Sequence, residues 1–333
     1  MRAIEFTGQS IRMIDQSLLP HREEWIELRN AGEIIDAIKR MKVRGAPAIG
    51  VAAAYALALS ENPGKDAECL KSARPTAVEL SHAVDFMLGA CRNGMALPQA
   101  AAKWEGMNSK RCRLVSEHGS SLVGKGQRIL THCNTGFLAA NEHGTALGAI
   151  KMAHGQGKGV SVYVDETRPR LQGALTSWEL LKHGVPHQVV CDSAAGYLMK
   201  KNEIDLVMVG ADRIAANGDA ANKIGTYTLS VLARENSIPF YVLAPLPSFD
   251  ADIKAGDEIE VEERSQKEVL EIRGKRVYPQ GSSAENPAFD ITPAENIAGF
   301  VCENGIFRSI DELWESTRDP DSASGELLKS CLR

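Results

Sequence analysis

The feature that most constrains the fold is a regular alternation, after Gly126, of short apolar runs with longer amphipathic segments. The apolar runs have the length and composition of buried strands, and the segments between them repeat their apolar residues at helical spacing. This alternation predicts an α/β fold in which helices cover both faces of a doubly wound parallel sheet. The strands are predicted at 128–132, 160–164, 188–191, 206–209 and 240–243, and the helices at 141–154, 171–183, 193–200 and 222–236.

The residues before this alternation are mostly helical in pattern. A small β element is predicted within 1–30, and several helices follow it. Glycines cluster between 119 and 126, so we place a domain boundary there. The chain is thereby divided into an N-terminal lobe, 1–122, and a C-terminal lobe, 123–333, and the polar segment 319–324 is expected to be loose.

Composition argues against several classes of protein. The net charge of -5 gives no electrostatic reason to expect a nucleic acid or an anionic membrane as partner, and no apolar run is long enough to span a bilayer. The seven cysteines form no Cys-x-x-Cys pair, which argues against a zinc site and a disulfide framework. The start of the chain carries charges among its apolar positions, unlike a signal peptide. We therefore expect a cytoplasmic protein with reduced thiols.

Polar and reactive side chains follow four of the predicted strands, at the point where each strand ends. Parallel strands end at one edge of a sheet, and ligands bind at that edge in open α/β folds, so these side chains are expected to lie together. A structural protein has no need of them, since strand ends can be finished with Gly, Ser and Asn alone. The four segments are 131–136 with Cys133, 165–169, 191–193, and 210–213 with Asp212.

Cys133 and Asp212 are each open to two interpretations. A thiol at a strand-to-helix turn gains thiolate character from the helix N-terminus, whereas most free cysteines are inert buried residues. Asp212 either caps the next turn or, if it is buried, has a raised pKa and acts as a general acid. The polar segments around both residues favour the chemical role. Cys191 is the weaker thiol candidate and is expected to pack at its own strand end.

The other titratable residues at these strand ends have structural explanations. Asp165 and Glu166 lie close to Arg168 and Arg170 in the sequence, which predicts an ion network. His132 is expected to be a packed core histidine without a chemical role.

Residues 44–50, with the sequence RGAPAIG, have the features of a phosphate-binding turn. Gly45 would let the backbone approach a ligand, the N–H groups that start the following helix would face it, and Arg44 would add a charged donor. The alternative is a tight turn between two helices. Neither the dinucleotide-binding glycine motif nor the P-loop motif occurs, which disfavours a nucleotide cofactor.

Six segments of the chain form an ordered set of motifs between about Ile11 and Gly305. They are RGAPAIG at 44–50, ARPTAV at 73–78, THCNTG at 131–136, DETRPRLQG at 165–173, GADRIAANGDAANKIGTY at 210–227 and NPAFDITP at 286–293. This set resembles the family of methylthioribose-1-phosphate isomerases, which also holds ribose-1,5-bisphosphate isomerases and the α, β and δ regulatory subunits of translation initiation factor 2B. The third and fifth motifs together point to the catalytic branch.

The resemblance implies a smaller N-terminal lobe, a Rossmann-like C-terminal lobe, a homodimer, and no metal or organic cofactor. It implies an aldose–ketose isomerase that converts 5-methylthioribose 1-phosphate to 5-methylthioribulose 1-phosphate in methionine salvage. By position, Cys133 and Asp212 match the family's catalytic pair. The positions that match its substrate-binding residues are Arg44, Gly45, Ala46, Arg74, Gln172, Asn222 and Lys223.

One departure from the family pattern bears on the substrate. Residues 171–180, LQGALTSWEL, are one residue shorter than the usual LQGARLTAWEL, which affects the segment that carries Gln172. The alternatives that the sequence leaves open are therefore an isomerase of 5-deoxyribose 1-phosphate or ribose 1,5-bisphosphate, and a non-catalytic regulatory subunit.

Overall fold

The computed structural model of the chain describes residues 1–74 and 77–318. Pro75 and Thr76 of the second motif and the predicted loose segment 319–324 lie outside the described residues. No helix within the described ranges combines the length and the apolar composition needed to cross a bilayer.

The N-terminal part begins with a small antiparallel sheet and continues as packed helices. The sheet has the order β1-β2-β3, with Ile4 opposite Met13 and Ile11 opposite Leu28. The elements are β1 (Ile4–Phe6), β2 (Ile11–Ile14), β3 (Trp25–Leu28), α1 (Ala31–Lys39), α2 (Ala46–Ala58), α3 (Pro63–Ala73), α4 (Val78–Arg92) and α5 (Leu97–Ser121). The predicted β element and helices are present, and α3 is an additional helix. It buries only Ala67 and Leu70, so its sequence carries little helical periodicity.

Helix α2 forms the centre of this part of the molecule. Every residue from Pro47 to Leu57 is buried, because α1, α4 and α5 surround the helix. Most of these side chains are small, which lets the neighbouring helices pack closely. The first turn of α2 is thereby held rigidly, with its N-terminus facing the C-terminal part of the chain.

The C-terminal part contains the predicted parallel sheet, which confirms the α/β fold class. The elements are β4 (Arg128–Thr131), α6 (Phe137–Ala140), α7 (Ala146–Gly155), β5 (Ser161–Asp165), α8 (Gly173–Lys182), β6 (His187–Val190), α9 (Ala195–Lys200), β7 (Leu206–Val209), β8 (Arg213–Ala215), β9 (Ala220–Lys223), α10 (Thr226–Glu235), β10 (Phe240–Leu243), β11 (Phe249–Asp250), α11 (Lys267–Leu270), β12 (Glu271–Ile272), β13 (Lys275–Arg276), β14 (Phe289–Thr292), β15 (Gly299–Cys302), β16 (Gly305–Phe307) and α12 (Ile310–Arg318).

The main sheet has the strand order β16-β15-β10-β7-β4-β5-β6. Its strands are parallel except for the antiparallel pair β15–β16. From β4 the chain adds β5 and β6 on one side and then β7, β10 and β15 on the other. The order of the strands therefore reverses between β4 and β7, and the crevice at such a reversal is the usual ligand site of an open α/β sheet.

A second sheet, of order β11-β8-β9-β14, corrects one sequence-based prediction. We predicted a helix over 222–236, but residues 220–223 form β9, and α10 begins only at Thr226. β9 lies between β8 and β14, with Asn222 opposite Asp290 and Lys223 opposite Phe289. These hydrogen-bond partners lie far away in the sequence, and local periodicity cannot detect them.

The cluster of glycines between 119 and 126 predicts a domain boundary, and the structure corrects this interpretation for Gly119. It lies within α5, where an added Cβ would stand 2.8 Å from Ala149 Cβ of α7 and 2.4 Å from Leu243 Cδ2 of the sheet. Gly119 is therefore a packing residue that brings α5 close to the sheet. The division into lobes 1–122 and 123–333 stays a prediction.

We expect Gly119→Ala to lower the free energy of unfolding by about 1 to 3 kcal/mol, because the extra methyl group overpacks the contact between α5, α7 and the sheet. Gly106→Ala is the matched control in the same helix, since nothing lies within 4 Å of its added Cβ. The control is expected to raise stability by about 0.5 to 1 kcal/mol through helix propensity. Urea titration measures both. Equal effects of the two substitutions would contradict this account of Gly119.

Candidate active site

A cavity, here called the central cavity, opens between the start of α2 and the carboxyl edge of the main sheet, where the strand order reverses. The loops after β4, β5, β7 and β10 contribute to its wall, together with β9 and the connection that precedes α4. The structure brings every predicted site residue to this wall: Arg44, Gly45, Ala46, Arg74, Cys133, Gln172, Asp212, Asn222 and Lys223. The shortened segment 171–180 thus still places Gln172 at the cavity.

Cys133 is held by hydrogen bonds that its backbone makes with two threonines. Its N–H donates to Thr167 Oγ1 at 2.9 Å, and Thr176 Oγ1 donates to its carbonyl at 2.7 Å. Cys133 and Thr167 both adopt positive φ, 64° and 60°, which is unusual for residues other than glycine. Such conformations persist only where the surrounding structure enforces them, and they concentrate at functional sites.

The expectation that a helix N-terminus activates Cys133 is wrong. The next helix, α6, begins only at Phe137, and the buried carboxylate of Glu179 already accepts the N–H groups of Phe137 and Leu138, at 2.9 and 3.2 Å. Burial raises the pKa of the Cys133 thiol, while Arg44 and Lys223 act in the opposite direction. At neutral pH the thiol is therefore protonated to a greater extent than an exposed cysteine.

Asp212 lies in the short connection between β7 and β8, on the other side of the strand reversal from Cys133. Its N–H donates to the carbonyl of Ala221, which ties the loop to β9. Burial raises the pKa of the Asp212 carboxyl, and Lys223 and Arg74 oppose this rise. The raised pKa agrees with the predicted role of a carboxylic acid that can donate a proton.

Lys223 ends β9 and faces the same cavity. Its Nζ donates to the carbonyl of Ala288 at 2.7 Å and lies 4.2 Å from the centroid of the Phe289 ring. Burial lowers the pKa of Lys223, while Cys133 and Asp212 oppose this change. Its neighbour Asn222 donates to Thr226 Oγ1 at 3.0 Å.

The turn at residues 44–46 joins α2 to the loop after β4. Arg44 donates to Asn134 Oδ1 at 2.7 Å and to the Asn134 carbonyl at 3.3 Å. Gly45 has φ +91°, and an added Cβ would lie 2.5 Å from the Ala139 backbone. The glycine is therefore needed for close packing against α6, whereas the sequence suggested that it lets a ligand approach.

Two buried polar atoms at the cavity wall have no hydrogen-bond partner among the residues that the structure describes. They are Nε of Arg44, a donor, and Oε1 of Gln172, an acceptor. Buried polar groups are normally paired, so an unpaired donor and an unpaired acceptor on one cavity wall are suited to a polar ligand.

Sequence reasoning missed two cavity residues, Arg170 and Arg264. Glu268 bridges them, accepting hydrogen bonds at 2.6 Å from Arg170 and 3.1 Å from Arg264. Arg170 lies within the fourth motif, two residues before Gln172, and that position was the available signal. Among the described residues that line the cavity, the cationic ones are Arg44, Arg74, Arg170, Arg213, Lys223 and Arg264, and the acidic ones are Asp212 and Glu260. This excess of cations suits an anionic ligand such as a phosphate ester.

The predicted ion network of the fourth motif is wrong in its partners. Arg170 binds Glu268, and Arg168 donates to the carbonyls of Pro169 and Val269. Asp165 instead bonds to His132, with 2.9 Å between Oδ2 and Nδ1. His132 is buried, as predicted.

Cys191 does not pack at its strand end as expected, because it is exposed. It therefore differs from Cys133 in environment, although both follow strands of the main sheet.

Comparison with known proteins places this site among related chains. The sequence profile described as the Initiation factor 2 subunit family matches residues 42–309. A methylthioribose-1-phosphate isomerase from Aquifex aeolicus is 49% identical over 318 residues, which cover 94% of this chain and 70% of that protein. Another from Acetivibrio thermocellus is 44% identical over 329 residues, which cover 92% of this chain and 96% of that protein.

Two solved structures have similar folds. The 5-methylthioribose 1-phosphate isomerase from Pyrococcus horikoshii has a TM-score of 0.87 and 37% identity, over 94% of this chain and 96% of that chain. The structure described as translation initiation factor eIF-2B, subunit delta, from A. fulgidus has a TM-score of 0.85 and 38% identity, over 94% and 97%. The overall fold therefore does not distinguish an isomerase from an initiation factor subunit. That distinction has to come from the residues of the site.

The raised pKa of Cys133 predicts the order in which the thiols react with iodoacetamide at pH 7. The thiolate is the reactive form, so the exposed Cys91 and Cys191 are expected to be alkylated before Cys133. Peptide mapping by mass spectrometry over a time course measures this order. Denatured protein, in which the thiols react at similar rates, is the control. Alkylation of Cys133 ahead of the exposed thiols would contradict the protonated state.

Proposed function

Because the chain belongs to the Initiation factor 2 subunit family, we propose that it is one of the family's isomerases and converts 5-methylthioribose 1-phosphate to 5-methylthioribulose 1-phosphate, the aldose–ketose step of methionine salvage. The observation that carries this proposal is that the half-buried Cys133 thiol and Asp212 carboxyl group share one cation-rich cavity, where burial raises the pKa of both. A regulatory subunit has no need of this pair, since cations alone suffice to bind a phosphate ester.

The substrate poses a specific chemical problem. A phosphate on C1 replaces the free anomeric hydroxyl, so the sugar ring cannot open spontaneously. The enzyme must break the bond between C1 and the ring oxygen O4 while it keeps the phosphate. A neutral carboxylic acid can protonate O4 as that bond breaks, and Asp212 is the residue we assign to this step, because burial raises its pKa.

The phosphate is assigned to the cationic side of the cavity. Arg44 offers its unpaired Nε, and Arg74 and Lys223 add positive charge close by. The N–H groups at the first turn of α2 supply further donors, and the helix dipole favours an anion there. Gln172 Oε1 is free to accept a hydrogen bond from a sugar hydroxyl.

After ring opening, the hydrogen on C2 must reach C1 while the C2 hydroxyl becomes a carbonyl. In one route, the thiolate form of Cys133, which Arg44 and Lys223 favour against the effect of burial, removes the hydrogen as a proton and returns it to C1 through an enediol phosphate. In the other, the hydrogen shifts from C2 to C1 as a hydride, and Cys133 stabilises the positive charge on C1. In both, the proton of the C2 hydroxyl returns to Asp212, so the enzyme ends in its starting state. A cavity that excludes water protects the reactive intermediate.

The C5 substituent is assigned to the apolar part of the cavity wall. Met41, Ile49 and Ile259 are apolar residues of the cavity wall, and their side chains suit a methylthio group better than a second phosphate. Arg170 and Arg264 are the additional cations that a bisphosphate would require, but Glu268 already binds both.

We expect Cys133→Ser and Asp212→Asn each to lower kcat by about 100-fold or more, because each removes a group from the reacting carbons. Product binding is expected to persist, since the phosphate contacts remain. Steady-state assays with 5-methylthioribose 1-phosphate, 5-deoxyribose 1-phosphate and ribose 1,5-bisphosphate, together with product titration, measure this. Cys191→Ser, a thiol change outside the cavity, is the control.

The same assay in D2O separates the two hydrogen-transfer routes. Deuterium at C1 of the product indicates proton exchange through Cys133, and its absence indicates a hydride shift. Wild-type rates in either cavity variant would refute the assigned roles. Absence of turnover by the wild-type protein with all three substrates would favour the regulatory subunit.

We also propose that the chain forms a homodimer through the edge of the main sheet at β6. Two large apolar side chains are exposed there, Leu181 at 70% and Val189 at 51%, and they line one surface groove. β6 is the last strand on its side of the sheet, and an exposed apolar surface of this kind marks an interaction site. The cytoplasmic location expected from the cysteine pattern stays a prediction.

The dimer is tested by light scattering coupled to gel filtration. The wild-type chain is expected to have about twice the 36.0 kDa mass of a single chain. Leu181→Glu is expected to give the single-chain mass, because the charge would have to be buried in the interface. Val277→Glu, at a valine that is 53% exposed elsewhere, is the matched control. A wild-type chain that elutes as a monomer, or an unchanged mass for Leu181→Glu, would contradict this interface.

A further inference from the structure

His132 precedes Cys133, and its ring is buried beneath the central cavity. Each of its two ring nitrogens has one hydrogen-bond partner, and the two partners lie in different segments of the chain. Nδ1 lies 2.9 Å from Asp165 Oδ2 at the end of β5, and Nε2 lies 2.9 Å from the carbonyl of Ile224. The ring therefore connects the loop after β4 with the loop after β5 and with the turn between β9 and α10.

Each connection reaches a residue of the candidate active site within two positions. Ile224 follows Lys223 directly. Asp165 lies two residues before Thr167, whose hydroxyl accepts the N–H of Cys133. His132 and Thr167 thus hold Cys133 from both sides in its positive-φ conformation.

The turn after Ile224 is shaped around the same ring. Gly225 has φ +104°, and an added Cβ would lie 2.9 Å from His132 Cε1. Asp290 fixes the other side of this turn by accepting the N–H groups of Gly225 and Tyr227, at 2.7 and 3.1 Å. The imidazole is therefore a close-fitting spacer between Cys133 and Lys223.

We propose that His132 is a positioning residue for the isomerase reaction: its hydrogen bonds to Asp165 and to the Ile224 carbonyl set the placement of Cys133 relative to Lys223. This inference rests on the proposed function. His132 is not among the residues that line the cavity, and we assign it no contact with the substrate. It therefore acts through the backbone of Cys133 and Ile224.

The hydrogen bonds define where the protons lie. Nε2 must carry a proton, because a carbonyl can only accept. A second proton is shared between Nδ1 and Asp165 Oδ2. Burial favours a neutral His132, but the hydrogen bond with Asp165 and its charge outweigh burial and raise the pKa of His132. Burial also raises the pKa of Asp165 against the effect of His132. The 2.9 Å hydrogen bond holds this proton between the two partners.

Asp192 and Asp290 are the other acidic groups that act on the ring. The Asp192 carboxylate accepts the N–H groups of Thr167 and Arg168, at 2.8 and 2.7 Å. Asp192 and His132 are thus hydrogen-bonded within the protein, as is Asp165 Oδ2, whereas the buried Asp165 Oδ1 has no hydrogen-bond partner among the described residues.

The test compares His132→Gln, Asp165→Leu and Asp165→Asn. Loss of a hydrogen bond in the first two variants is expected to lower kcat by about 10-fold or more and to change KM less than about threefold, because small displacements of reacting groups are costly while the phosphate contacts remain. In Asp165→Asn, the amide can donate to Nδ1 of a neutral imidazole whose Nε2–H still binds Ile224. Its kcat is expected to remain within about threefold of wild type.

The matched control is His187→Gln. His187 also makes two hydrogen bonds, with Ser177 Oγ and the Val185 carbonyl, but it lies at the start of β6, away from the cavity. It is expected to leave kcat unchanged. Circular dichroism identifies any variant that fails to fold, and Asp165→Leu replaces His132→Gln in that case.

A second measurement does not depend on turnover. The pH profile of Cys133 alkylation by iodoacetamide is expected to shift in His132→Gln and Asp165→Leu, and to stay at the wild-type position in Asp165→Asn and His187→Gln. The charged groups that face the thiol, namely Arg44, Lys223 and Asp212, are unchanged in these variants. A shift can therefore be attributed to altered placement of Cys133.

A folded His132→Gln protein with kcat within about twofold of wild type, or an Asp165→Asn protein as impaired as Asp165→Leu, would overturn the proposal. If wild-type protein turns over none of the three sugar phosphates, the proposed function fails. The alkylation profile then decides the placement role by itself: a shift supports it, and an unchanged profile refutes it.

Discussion

A single buried carboxylate, that of Glu179 on α8, holds the loop on which the candidate active site depends. It accepts hydrogen bonds from Asn134 Nδ2 at 3.0 Å and from the first N–H groups of α6, and it pairs with Lys151 at 3.3 Å. Gly136 is required beside it, because an added Cβ would lie 2.0 Å from Glu179 Oε2. Asn134 Oδ1 in turn accepts a hydrogen bond from the Arg44 guanidinium. The Glu179 carboxylate therefore orders both the loop that carries Cys133 and the turn that starts α2.

Two factors determine the pKa values of the titratable groups in the central cavity: their burial and the excess of cationic side chains around them. Burial raises the pKa of Cys133 and of Asp212 and lowers that of Lys223, and each of these groups opposes the effect of burial on another. The result is a thiol and a carboxyl group, both with a raised pKa, beside cations. An incoming phosphate ester finds donors already in place, and an acid is available at the ring oxygen without a bound metal in the proposed chemistry.

Sequence analysis located the cavity residues because strand ends converge in a parallel sheet and because the motifs resemble a known family. It failed where partners come from distant parts of the chain. β9 was predicted as part of a helix, since its pairing with β14 is not local. The thiolate character predicted for Cys133 was wrong, since Glu179 had not been recognised as the group that occupies the start of α6. Arg170 was assigned to a neighbouring carboxylate, although it binds Glu268 almost a hundred residues away.

By itself, the sequence determined the α/β class, the strands β4, β5, β6, β7 and β10 of the main sheet and the positions that carry reactive side chains, because periodicity, strand-end composition and motifs are local properties of the chain. It did not predict β15 and β16, which complete the sheet. Only the tertiary structure decided how those side chains are protonated, what holds them and which cations surround them. These properties depend on burial and on contacts between residues far apart in the chain. Cys133 illustrates the difference: its place after β4 is written in the sequence, but its protonation follows from the burial, the hydrogen bonds and the charges around it.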